Sequence, residues 1–203
     1  MNEKEKLLDL YVKKKDLIRS FISSCAVNND ECLFGELCFC IMTPQSRAKY
    51  CRQAINNLKK DKKLFTATAE ELRKYLIGVR FPEVKAQRIV EARKKLPELK
   101  NKLKIDPKEL REWLAVNIKG LGMKEASHFM RNIGFKGFAI IDVHIQNFLR
   151  KMGKIEQSKS LTKNRYLELE QRFLELSKEL GIPSDELDIA IWMYQSGEED
   201  FYG

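Results

Sequence analysis

The chain has 203 residues, with 38 Lys and Arg against 29 Asp and Glu, a formal charge of +9 at pH 7. Hydrophobic residues at 43% and charged residues at 33% exclude an intrinsically disordered chain and fit a water-soluble protein of one domain or two tightly joined lobes. No apolar stretch approaches the roughly 20 residues that cross a bilayer. The charged segment 1–9 lacks an apolar signal core, so an intracellular setting away from membranes is expected.

Helical periodicity predicts helices over residues 4–24, 33–42, 45–59, 69–78, 83–99, 107–118, 123–134, 143–153, 163–180 and 184–196. In the first, Leu7, Leu8, Tyr11, Val12, Leu17, Ile18, Phe21 and Ile22 fall near one face. Pro82, Pro107 and Pro183 stand where helices begin, and Gly78, Gly134, Gly153, Gly181 and Gly197 where they stop. No alternating strand pattern competes, so the fold class is all-α. Residues 94–104 read as the most basic loop region, either a solvated surface or an edge that tracks phosphates. The positive surplus itself points to a polyanionic partner.

Five cysteines, Cys25, Cys32, Cys38, Cys40 and Cys51, contain no CxxC pair. Neither zinc nor an iron–sulfur cluster is expected on them. Reduced thiols packed as small hydrophobes are the expectation.

One segment carries chemistry: Val116-Asn117-Ile118-Lys119-Gly120-Leu121-Gly122-Met123-Lys124-Glu125-Ala126-Ser127. One helix ends near Ile118 and the next starts near Met123. Gly120 and Gly122 are both free to take positive φ, and a tight turn opening onto a helix presents N–H groups that seat a phosphate. Without further features this is a plain helical corner. Lys124, however, falls in the first turn of the second helix, where the dipole disfavours a cation and so favours the neutral, nucleophilic amine. Eighteen residues later, Asp142 follows the apolar run Ala139-Ile140-Ile141 and precedes a helix. It serves as an N-cap or as a carboxylate that stabilises developing positive charge.

Gly120-Leu121-Gly122-Met123-Lys124, followed by Ile141-Asp142-Val143-His144, resembles the signature of the helix-hairpin-helix DNA glycosylase superfamily in its Lys/Asp bifunctional branch. The wider chain resembles the archaeal and thermophile 8-oxoguanine DNA glycosylase/AP lyase family 2. The matching segments are Glu36-Leu37-Cys38-Phe39-Cys40-Ile41-Met42-Thr43-Pro44-Gln45, Val79-Arg80-Phe81 with Lys85-Ala86, residues 124–134, and residues 188–197 around Trp192.

The resemblance implies two helical lobes with DNA in the cleft between them. One comprises residues 1–28 with 136–203. The other comprises 29–135 and ends in the hairpin at about 107–134. It implies a monomer that binds double-stranded DNA containing 8-oxoguanine and flips the damaged nucleotide out. Lys124 would form a Schiff base at C1′ and cut the strand by β-elimination, with Asp142 as its electrostatic and proton-transfer partner and with no metal or organic cofactor. Gly120, Gly122 and His144 would hold phosphates, although His144 also suits a capping role. His128, Trp192 and Gly203 would line the base pocket, with core packing the other reading for His128 and Trp192. Gln45, Arg80 and Phe81 would fill the vacated stack or meet the opposite base, with core packing the alternative for Phe81. The rival functions are a glycosylase of the same fold for another damaged or mismatched base, and a non-catalytic helix-hairpin-helix DNA-binding module.

Overall fold

The computed structural model describes residues 2–22, 29–156 and 161–197, and within them the chain is all-α. Short polar side chains start several helices by accepting a backbone N–H that has no partner inside the helix. Asn2 opens α1 (Glu3–Phe21) and Asn29 opens α2 (Asp30–Met42). A turn, rather than a side-chain cap, leads into α3 (Ala48–Lys60), and Thr68 caps α4 (Ala69–Tyr75). Pro82 and Pro107 occupy the start of α5 (Pro82–Lys102) and α6 (Pro107–Asn117), where proline's fixed φ suits the helix. Then come α7 (Met123–Asn132), α8 (Val143–Lys151), α9 (Lys163–Leu180) and α10 (Ser184–Ser196).

The described residues fall into two compact units. The first contains α1, α8, α9 and α10. Its centre is α10, which packs on the other three and buries Leu187, Ile189, Ala190 and Ile191 completely. A polar pair fastens α1 to α10. Tyr11 donates to Glu186 Oε2 at 2.6 Å, and Arg19 Nε donates to Oε1 at 3.1 Å. Burial, reinforced by the Glu186 carboxylate, pushes the Tyr11 phenol up to about 12. Residues 138–141 run without helix, yet their backbone is tied to α9. Tyr166 donates to Ala139 O at 2.6 Å and accepts from Ile141 N–H at 3.3 Å, while Glu170 accepts from Ala139 N–H at 3.0 Å.

The second unit contains α2 to α7. Here α2 is central and packs on α3, α5 and α7. Its Leu33, Phe34, Leu37, Phe39 and Ile41 are fully buried, each contributing about 1.5–3 kcal/mol relative to exposure.

Several expectations change. α3 begins at Ala48 rather than at residue 45 because residues 43–46 form a turn. Residues 94–102 are helix rather than loop: α5 continues to Lys102, placing Lys100 and Lys102 in its last turn, where cations complement the helix dipole. Val12 is 73% exposed, so the buried stripe of α1 narrows to Leu7, Tyr11 and Ile18. Cys38, Cys40 and Cys51 are free and buried, but Cys32 is disulfide-bonded. A missing CxxC pair does not preclude a bridge, which requires only that two Cα atoms approach within about 7 Å. Cys25 lies outside the described residues.

Candidate active site

The hairpin between α6 and α7 turns at Ile118, whose carbonyl accepts Leu121 N–H at 3.1 Å. Gly120 has φ +96°, and a Cβ built there would stand 2.9 Å from Arg88 Cδ. Glycine is therefore favoured by the backbone conformation, and any side chain there would also displace Arg88. Gly122 departs from expectation: at φ −97° and ψ −170° it is ordinary extended backbone leading into α7. One positive-φ glycine suffices to reverse the chain. Beneath the turn, Arg111 donates to Ser127 Oγ at 3.2 Å and Ser127 donates to Met123 O at 2.9 Å, tying α6 to α7. The first turn of α7 thus presents N–H groups and positive dipole, and the side chain of Arg88 lies against Gly120.

Lys124 is the second residue of α7, its side chain 33% exposed. Its Nζ lies 2.9 Å from Glu125 Oε1, and Glu125 Oε2 accepts Gly122 N–H at 3.3 Å. One carboxylate thus holds both the amine and the start of the helix. Glu125 was not singled out by the sequence, although its position three residues after Gly122 has the spacing of a capping box.

One turn on, half-buried His128 meets Phe39 edge to face, with ring centroids 5.6 Å apart. Its Nε2 is buried with no hydrogen-bond partner among the described residues. Burial, then the cations Arg131, Lys124 and Arg52, push the imidazole well below its ordinary range, so it is neutral. The Arg52 guanidinium lies 4.1 Å from the Phe39 ring centroid and pairs with Glu36 at 2.5 Å. Glu36 also accepts from Asn132 Nδ2 at 2.8 Å.

Gln45, Arg80 and Phe81 come together in the same unit. Gln45 is exposed at φ +59°, in a turn closed by Ser46 N–H donating to Thr43 O at 2.9 Å. Arg80 N–H donates to Ser46 Oγ at 3.0 Å, and its guanidinium lies 5.3 Å from the Phe81 ring centroid. Phe81 has φ +56° and is 52% exposed, which removes the core alternative. Left-handed backbone at a non-glycine residue costs roughly 1 kcal/mol or more and persists where its surroundings enforce it.

In the other unit, Asp142 is the N-cap of α8, with Oδ1 accepting from Ile145 N–H at 2.9 Å. His144 follows in the first turn, half-buried. Trp192 stands half-buried on α10. Gly203 lies outside the described residues. Among the described residues, no group of three or more His, Cys, Asp or Glu suits a metal ion, and no helix is long and apolar enough to cross a membrane.

Residues 14–182 match the family described as 8-oxoguanine DNA glycosylase. The chain belongs to that family. Its sequence is 44% identical over 175 residues to the 8-oxoguanine DNA glycosylase/AP lyase of Korarchaeum cryptofilum, covering 84% of this chain and 83% of that one. With the 8-oxoguanine DNA glycosylase/AP lyase of Fusobacterium nucleatum it shares 38% identity over 206 residues, 97% and 95% of the two chains. The crystal structure of the Methanocaldococcus jannaschii 8-oxoguanine glycosylase/lyase, in complex with a 15mer DNA containing 8-oxoguanine, matches with a TM-score of 0.83 at 34% identity. That match covers 96% of this chain and 99% of the other. The glycosylase family inferred from the Gly120–Lys124 and Ile141–His144 segments, and its all-α fold, are borne out.

Proposed function

We propose that the chain is a bifunctional base-excision repair enzyme that extrudes 8-oxoguanine from double-stranded DNA, releases the base and then cuts the strand. The observation that carries this reading is Lys124, an amine in the first turn of α7 directly behind the Gly120 turn. Its neutral Nζ attacks C1′ while the bond from C1′ to the base nitrogen breaks, and the base leaves with that electron pair. Opening of the sugar ring gives a Schiff base. Loss of a C2′ proton then expels the 3′ phosphate by β-elimination, and water releases the enzyme. The lysine forms the covalent bond, so no metal or organic cofactor enters the scheme.

Asp142 acts as the carboxylate partner that stabilises positive charge at C1′ and handles protons. The hairpin N–H groups around Gly120 and Gly122, with His144, hold phosphates. His128, Trp192 and Gly203 line the base pocket, and Gln45, Arg80 and Phe81 occupy the gap left in the stack. The protein works in the cytoplasm as a monomer, associated with the nucleoid through DNA.

Borohydride trapping tests the scheme. The wild-type protein is expected to form a covalent adduct with a duplex carrying 8-oxoguanine. Lys124→Gln is expected to abolish the adduct, base release and strand cleavage while DNA affinity is largely retained. Undiminished cleavage by a clean Lys124→Gln preparation refutes the assignment, and trapping on a different lesion alone would move the substrate to another base.

A further inference from the structure

Lys85 is a buried lysine: it is 2% exposed, in the first turn of α5. The hydrogen bonds it makes all end on neutral oxygens. Nζ donates to Met42 O at 2.6 Å, Pro44 O at 2.7 Å and Ser46 Oγ at 2.9 Å. Three ammonium donors thus meet three acceptors, and burial draws its titration below the ordinary lysine range.

The acceptors identify what the ammonium holds. Met42 O is among the last carbonyls of α2, which have no helical partner and carry the negative end of the dipole. Pro44 O belongs to the middle peptide of the Thr43–Ser46 turn. Proline at the second position and positive φ at the third are the type II arrangement, in which that peptide is flipped relative to type I and glycine is usual at the third position. Here the third position is Gln45 at φ +59°. A charge-assisted bond to the Pro44 carbonyl favours the flipped peptide and with it the left-handed Gln45.

Ser46 Oγ is the junction. It accepts from Lys85 Nζ and from Arg80 N–H, so one hydroxyl joins the 43–46 turn to the Arg80–Phe81 segment. Behind it, Gly78 at φ +79° lies against Tyr50, where a Cβ would stand 2.7 Å from the ring. Among the described residues, two of the three non-glycine residues with positive φ are Gln45 and Phe81. Both lie beside residues tied to Lys85, directly or through Ser46.

We propose that Lys85 is a positioning residue: it locks the Pro44–Gln45 peptide and, through Ser46, fastens it to Arg80, so that Gln45, Arg80 and Phe81 form one fixed tip that enters the DNA stack. The inference rests on the base-extruding function proposed above. A free amide at Gln45 would sample both turn types, and the tip would then stabilise the extruded state poorly while the chemistry at Lys124 remained intact.

The test compares two substrates within one preparation of Lys85→Met, and of Ser46→Ala as the milder change should Lys85→Met fold poorly. Excision of 8-oxoguanine from a duplex requires a paired base to be unstacked, whereas an abasic site has none to remove. Single-turnover excision is expected to fall about tenfold or more, the scale of losing one hydrogen bond to a charged group. Borohydride trapping on a preformed abasic duplex is expected to fall far less. A 2-aminopurine beside the lesion should lose most of its enzyme-induced fluorescence rise at saturating protein. Proportional loss of both activities, or unchanged excision in a folded variant, overturns the proposal. Wild-type protein that never traps overturns the glycosylase function and the clamp's purpose with it. Wild-type trapping combined with an unchanged ratio in both variants overturns the clamp alone.

Discussion

Glu125 grips Lys124 from the next position in the chain, Oε1 to Nζ at 2.9 Å, while Oε2 of the same carboxylate reaches back to Gly122 N–H. In the scheme proposed above, Nζ must leave this carboxylate before it reaches C1′. Glu125→Gln keeps an acceptor for Gly122 N–H but removes the charge. Single-turnover excision is expected to rise by up to about fivefold, the scale of one partly exposed ion pair. An unchanged or lower rate contradicts the role.

Asp142 caps α8 and is proposed above as the carboxylate partner at C1′, two roles that substitution separates. Asn caps a helix as well as Asp, so Asp142→Asn should keep its melting temperature, whereas Asp142→Ala should lose about 1 kcal/mol. A catalytic carboxylate is not replaced by an amide, and excision by Asp142→Asn should fall on the order of 10²-fold. Normal excision by Asp142→Asn would leave Asp142 as a cap alone.

The two hairpin glycines should respond unequally. Gly120→Ala forces a side chain into φ +96° and against Arg88, and should cost roughly 1–2 kcal/mol or more along with DNA affinity. Gly122→Ala enters extended backbone, where its Cβ would be 3.4 Å from Glu125 Oε2. Its melting temperature should stay near wild type. Equal losses at both positions would show that the turn needs both glycines for a reason other than backbone conformation.

His128 should make the fold acid-sensitive. Free histidine titrates near 6.5, and the folded environment lowers this well below, first through burial and then through Arg131, Lys124 and Arg52. As pH falls below about 6.5, the unfolded chain takes up a proton that the folded chain refuses, so stability declines in that window and is level above it. Between about pH 7 and pH 5, the melting temperature of wild type should therefore drop more steeply than that of His128→Phe. Parallel curves would contradict this.

Local signals carried the helices: apolar stripes, prolines at starts and glycines at ends, each a property of a few neighbouring residues. The placement of Lys124 and Asp142 at helix starts was legible for the same reason. Gly-x-Gly marked the turn but not which glycine would have positive φ, because that depends on where α6 releases the chain. Phe81 looked equally suited to core and surface until its left-handed backbone turned the ring outward. Lys85 was hidden. A lysine on an amphipathic helix reads as solvated, and its burial depends on oxygens about forty residues earlier in the chain. Cys32 was misjudged because a bridge depends on how the chain folds back, which spacing alone does not reveal.

The stretch before Asp142 has no helix, yet Tyr166 and Glu170 of α9 pair with its backbone at Ala139 and Ile141. Its opening in solution is thereby coupled to that of α9. The amide hydrogens of Ala139 and Ile141 should exchange for deuterium as slowly as those of α9, and far more slowly than an unstructured connector would allow. Tyr166→Phe should speed Ile141 most. The carboxylate that caps α8 thus inherits the stiffness of a helix it does not belong to.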